Sequence, residues 1–119
     1  MKSPKYWIDN LNLHPHPEGG YYKEVYRSQD SFKPVGFVGE RNYMTSIYFL
    51  LEAGSVSHFH SINSDELWYF HAGDSLSVYV IYPDGKLDTL KIGRNVEDGE
   101  LPQVVVPAGT VFGLSLIHI

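Results

Sequence analysis

The sequence predicts an all-β domain, a jelly roll, sandwich or barrel of short strands. Short apolar and aromatic runs recur between turns rich in Gly, Pro and Asp. Aromatic residues reach 14%, led by nine Tyr, which favours pleated, half-buried surfaces. No long 3.6-residue period runs through the chain, so a helical bundle is excluded.

Taken in order, residues 3–13 suit a short helical turn, with Trp7, Leu11 and Leu13 offering apolar contacts. His14-Pro15-His16-Pro17 stops it, because each proline restricts the residue before it. Glu18-Gly19-Gly20 reads as a turn or bulge. Residues 21–27 read as a strand and residues 32–41, with Pro34, Gly36 and Gly39, as a loop. Residues 45–51, 56–60 and 66–71 read as strands, with turns at 52–54 and 61–65. Residues 76–82 and 87–92 alternate as hairpin partners around Pro83-Asp84-Gly85-Lys86. Residues 97–100 form an acidic loop, and residues 103–106 a strand closed by Pro107-Ala108-Gly109.

The chain has 119 residues, enough for one domain and too few for two. Net charge is −5 and the pI is about 5.6, which argues against nucleic acid as the main partner. No basic amphipathic stretch and no apolar run of membrane-spanning length suggests a membrane partner. The N-terminus lacks the apolar core of a signal peptide, so the expected compartment is the cytoplasm. There is no Cys, hence no disulfide, thiol nucleophile or thiolate-held metal.

Chemistry concentrates in His58-Phe59-His60 and Asp65-Glu66-Leu67-Trp68. Two residues apart on a strand, His58 and His60 share a face, with Cα atoms about 6.5–7 Å apart. After a turn, Glu66 can face them from the next strand. His58, His60 and Glu66 would then form a three-ligand metal site with open positions. The same residues also suit a metal-free pocket, or a hydrogen-bond network with Asp65. By period two, Glu66, Trp68 and Phe70 share a face, so Trp68 and Phe70 are expected to line the cavity. Gly19-Gly20 lacks the context of a phosphate loop, and no G-x-S-x-G marks a serine hydrolase.

These motifs carry a resemblance. His58-Phe-His60, Glu66, Gly73 and Pro107-Ala-Gly109 resemble the two signature motifs of the cupin superfamily. The blocks His16-Pro-Glu-Gly-Gly-Tyr-Tyr-Lys-Glu24, Ser46-Ile-Tyr-Phe-Leu-Leu51, Asp65-Glu-Leu-Trp68 and Pro102-Gln-Val-Val-Val-Pro-Ala-Gly109 resemble the cupin-5 family, a cupin domain of unknown function. The resemblance implies a cupin-type jelly-roll barrel with an internal pocket for a small-molecule ligand, and a homodimer in the full-length form. It supplies no established reaction. It does imply, through the metal-free sugar epimerases of the same superfamily, an isomerase- or epimerase-like enzyme acting on a sugar or other small polar metabolite.

On that reading His58, His60 and Glu66 are the catalytic residues, and Trp68, Phe70 and Phe112 contact substrate. A divalent metal on the first three would act as Lewis acid; without it, His58 or His60 would be the general base. The alternative is a ligand-binding module without turnover. Two departures weaken the metal. Five residues separate His60 from Glu66, and Phe112 stands where the second motif normally ends in His. The resemblance stops near Gly113. Residues 1–113 are therefore expected to be a cupin domain without its closing strands. Residues 114–119 read as a non-native tail similar to a translated sequencing adapter, with a natural apolar strand end as the alternative; on the first reading His118 is not counted as a ligand.

Overall fold

The computed structural model describes residues 1–116. A short helix, α1 (Pro4–Leu11), precedes eleven strands: β1 (His14–Pro15), β2 (Tyr21–Arg27), β3 (Ser31–Phe32), β4 (Arg41–Asn42), β5 (Thr45–Leu50), β6 (Val56–Ser61), β7 (Glu66–Tyr69), β8 (Leu76–Ile81), β9 (Leu87–Ile92), β10 (Gln103–Val106) and β11 (Val111–Ser115). This is the mostly-β architecture expected. No helix among the described residues is long and apolar enough to cross a membrane.

Helix α1 forms where the sequence allows it. The Ser3 hydroxyl accepts from the Tyr6 N–H, Pro4 opens the first turn, and Asn12 ends it in the left-handed region at φ 55°. The hairpin of β8 and β9 closes as expected: Lys86 N–H donates to Asp84 Oδ1, and Gly85 adopts φ 86°.

Strands order as β6-β11-β8-β9 in one sheet, with β1-β2-β5, β7-β10 and β3-β4 beside it. Every strand pair is antiparallel. Period two decides what faces inward. In β10, Val104 and Val106 are 7% and 0% exposed, whereas Val105 between them is 49% exposed. Val78, Val80, Ile92, Phe112 and Leu114 complete the buried core.

Three details differ from the sequence reading. The segment read as a loop over residues 32–41 is flanked by the β3–β4 pair, whose two-residue strands are too short to leave a pattern. The acidic run is a single 3₁₀ turn, Val96–Asp98. Strand β11 runs through the boundary expected at residue 113 and is central, pairing with both β6 and β8. Leu114 and Ser115, placed by sequence in the tail, continue this strand, and Leu114 is 3% exposed on the same inward face as Phe112. His118 lies outside the described residues.

Candidate functional site

The site forms where β6, β7 and β11 meet the loop before β2. In β7, Glu66 and Trp68 are half-buried, while Leu67 and Tyr69 between them are 54% and 56% exposed. The parity expected for Glu66 and Trp68 therefore holds. The Trp68 indole N–H donates to Glu66 Oε2 over 3.2 Å, satisfying a polar atom that burial would otherwise leave costly. Asp65, beside them, is structural: its Oδ1 accepts from the Ala108 N–H at 2.8 Å and ties the start of β7 to the turn before β11.

The two histidines of β6 do not behave alike. Phe112 pairs with His60 and Leu114 with Ser57, so His58 and Phe59 together oppose Gly113. This is a β-bulge, and an extra residue cancels the period-two rule across it. His60 is half-buried, with its ring 4.5 Å from that of Phe112. His58 is exposed, and its N–H donates to the Glu18 carbonyl instead of to β11. Gly113 makes the bulge possible: a Cβ there would sit 3.1 Å from the Ser57 carbonyl oxygen and 3.2 Å from the Phe59 ring.

Convergence of His58, His60 and Glu66 is thus met by two of the three. His60 and Glu66 are close enough for their charges to interact, and His58 stands apart on the bulge. Among the described residues, no three His, Asp or Glu side chains are grouped to hold a cation. His60 and Glu66 supply two of the three donors that the spacing suggested for a metal, and His58 stands apart from them.

Phe112 is 1% exposed and backs the His60 ring, so its contact with any ligand runs through that imidazole. Phe70 points elsewhere. It packs on the core and lines a separate cleft of about 350 Å³ with Asp74, Arg94 and Glu100, its ring 5.9 Å from the Arg94 guanidinium. A second cleft of about 400 Å³ lies between Trp7, His71 and Arg94. Neither cleft contains His60 or Glu66. A half-buried carboxyl with its pKa pushed up beside an imidazole makes the His60–Glu66 cluster the candidate site.

One residue of the cluster escaped the sequence reading. His16 lies over Tyr22 and Phe49, with ring centroids 4.9 and 5.5 Å away. Phe49 in turn meets Trp68 at 5.5 Å, and Trp68 meets Phe112 at 6.3 Å. An aromatic wall therefore runs from His16 round to His60. The loop holding His16 is clamped by two glycines at φ 108° and 78°. A Cβ on Gly19 would lie 2.5 Å from the Val56 carbonyl oxygen, and one on Gly20 2.7 Å from that of Leu50. His16 N–H donates to the Gly20 carbonyl at 2.8 Å, which closes the loop. The signal was available: His16 opens the first block of the family resemblance, three residues before Gly19-Gly20.

Electrostatics separates the groups. Burial pushes the Glu66 carboxyl above its ordinary value, with the Trp68 hydrogen bond and nearby His60 pulling the other way. Burial lowers the His16 pKa; Glu18 opposes this and His60 adds to it.

Relatives share this framework. An uncharacterized protein of Saccharomyces cerevisiae is 37% identical over 120 residues, covering 92% of this chain. The chain spans 59% of the length of that curated relative. A solved structure of a hypothetical protein from Leishmania major superposes with a TM-score of 0.91 at 40% identity, over 98% of this chain and 71% of that one. The crystal structure of a Shewanella oneidensis protein gives 0.87 at 45% identity, over 99% and 72%. The family model of the cupin superfamily domain of unknown function, Cupin_5 (DUF985), matches residues 5–118. With its jelly-roll β fold and a match across nearly its whole length, this chain belongs to that cupin family.

Proposed function

We infer that the domain binds a small polar metabolite, a sugar derivative by preference, and moves a carbon-bound proton in the manner of an isomerase or epimerase. One observation carries the reading. The His60 ring is fixed by its Nδ1, which lies 2.9 Å from the His58 carbonyl, with Glu66 and an apolar wall beside it. A carbonyl only accepts, so Nδ1 donates, and Nε2 of the neutral ring is left as a base. Phe49 and Trp68 offer apolar faces to a sugar ring.

Exchange of substrate hydrogen for solvent deuterium tests this directly. Aldoses and ketoses incubated with the protein in D₂O are expected to gain deuterium at the carbon beside the carbonyl, and His60→Ala should abolish the gain. Saturable binding without exchange, equal in wild type and in rate-inactive variants, would favour the second reading of a binding module. The apolar rings of Phe49 and Trp68, which meet edge to face, serve that reading equally well. Neither exchange nor binding would overturn both.

A further inference from the structure

Hydrogen bonds decide which nitrogen of each site histidine carries a proton. The Glu18 amide can only donate, and it donates to His16 Nδ1 over 3.0 Å. That nitrogen therefore carries no proton, and the single N–H of the ring is at Nε2. His60 is the reverse: its Nδ1 faces the His58 carbonyl, so Nδ1 carries a proton, and the neutral ring has its lone pair on Nε2. The two rings are opposite tautomers, one a fixed donor and one a fixed acceptor. Both fixings come from the same contact region, because Glu18 also accepts the His58 N–H at 2.9 Å through its own carbonyl. His16 and His60 are near enough to interact electrostatically. Protonating His16 on Nδ1 would break its bond to the Glu18 amide, which keeps the ring neutral, as does its burial.

We propose that His16 is the electrophile of this site and that the substrate class is an α-hydroxycarbonyl compound, His16 Nε2–H binding the carbonyl oxygen while His60 Nε2 attacks the adjacent C–H. It rests on the assignment of His60 as the base. The step balances without a further reactant. The C–H bond breaks and its proton passes to His60 Nε2. Its electron pair forms the carbon–carbon double bond of an enediolate. The carbonyl π pair moves onto oxygen, where His16 Nε2–H holds it. His60 then returns the proton on the same face to the neighbouring carbon, with a proton shift between the oxygens, and gives the isomer. A neutral imidazole serves as electrophile where its surroundings keep it unprotonated.

Two measurements test the pair. Long-range ¹H–¹⁵N NMR of the unmodified protein at neutral pH reads the tautomers, with His16 expected as Nε2–H and His60 as Nδ1–H. Deuterium exchange is then followed with glyceraldehyde as probe, and binding is compared with glycerol, which lacks the carbonyl, and propanal, which lacks the hydroxyl. Exchange into glyceraldehyde is expected to fall about 10²-fold or more in His16→Leu, as for loss of one oxyanion donor. His16→Gln, which keeps an N–H near the Nε2 position, should retain more. His60 found as Nε2–H would overturn both the proposal and the assignment of His60 as base. His16 protonated on Nδ1 would overturn the proposal while leaving His60 as base. So would opposed tautomers with exchange unchanged in His16→Leu, or with glycerol and propanal bound as well as glyceraldehyde. Opposed tautomers with no binding or exchange of any probe would overturn both this proposal and the proton-transfer reading.

Discussion

The β6-β11-β8-β9 sheet and the β1-β2-β5 sheet are built from similar residues and pack very differently. Ser77, Val78 and Val80 of β8 are buried, as is β11 from Phe112 to Ser115. No residue of β2 or β5 is fully buried. Strand β11 has a neighbour on each side, whereas among the described residues β5 pairs with β2 alone. The difference teaches where stability and chemistry reside. Apolar burial concentrates in the first sheet, which holds His60 and Phe112 rigidly. The second sheet carries Phe49 and the loop of His16 to the seam, where polar groups can stay half-solvated.

Truncating the dense sheet should have the largest effect. Phe112→Ala is expected to cost about 3–5 kcal/mol, as large core deletions do. Ile47→Ala on β5, at a position 44% exposed, should cost less than about 1 kcal/mol. Urea unfolding of both variants makes the comparison, and equal costs would break it.

Next in size is the clamp between the sheets. Gly19→Ala forces a Cβ against the Val56 carbonyl at φ 108°, and is expected to cost about 1–3 kcal/mol. It should also release His16 from its aromatic neighbours, seen as a shift of the His16 ring signals. A neutral Gly19→Ala would mean that the loop is not held by β6.

Glu66 sharpens the comparison through pH. Its folded pKa is raised above the ordinary 4.5, so the folded protein binds this proton more tightly than the unfolded chain. The slope of stability with pH is then negative. The group costs nothing below 4.5, costs more as pH rises to the folded value, and costs a constant amount above it. Glu66→Gln keeps an oxygen for the Trp68 N–H and removes the slope. The variant should gain on wild type as pH rises from about 4, with the gain then levelling. Urea midpoints across pH check it, and a gap that narrows with rising pH would contradict burial as the cause.

The smallest expected effect is a gain. Thr110 is fully buried, and its Oγ1 has no hydrogen-bond partner among the described residues. Thr110→Val keeps the shape and removes the orphaned hydroxyl, for about 1 kcal/mol of added stability by thermal melting. A loss of stability would show that the hydroxyl is satisfied in solution.

Much of this was legible in the chain, and the exceptions have physical causes. The alternation of Val104, Val105 and Val106, and of Glu66, Leu67 and Trp68, sets which side chains face inward, because a strand has period two. His58 broke that rule because a bulge adds a residue, and nothing in His58-Phe59-His60 announces it. The cue was Gly113, distant in sequence, whose missing Cβ makes room for the Ser57 carbonyl and the Phe59 ring. His16 was hidden for a different reason. Its place in the site depends on a loop docking onto β6 through the Glu18 carbonyl, a contact that no local pattern encodes. The run of strand β11 through residue 113 was hidden because Phe112-Gly113-Leu114 is buried on both faces and shows no alternation.

Native-state hydrogen exchange tests the contrast between the sheets most directly. The amides of Val78, Val80, Phe112 and Leu114 are expected to exchange only through global unfolding, with opening free energies at the protein's full stability. Those of β2, of β5 and of Gly19 and His58 in the clamp should open locally at lower free energy and in a separate step. Uniform protection across both sheets, with one opening free energy for Leu114 and His58 alike, would contradict the account.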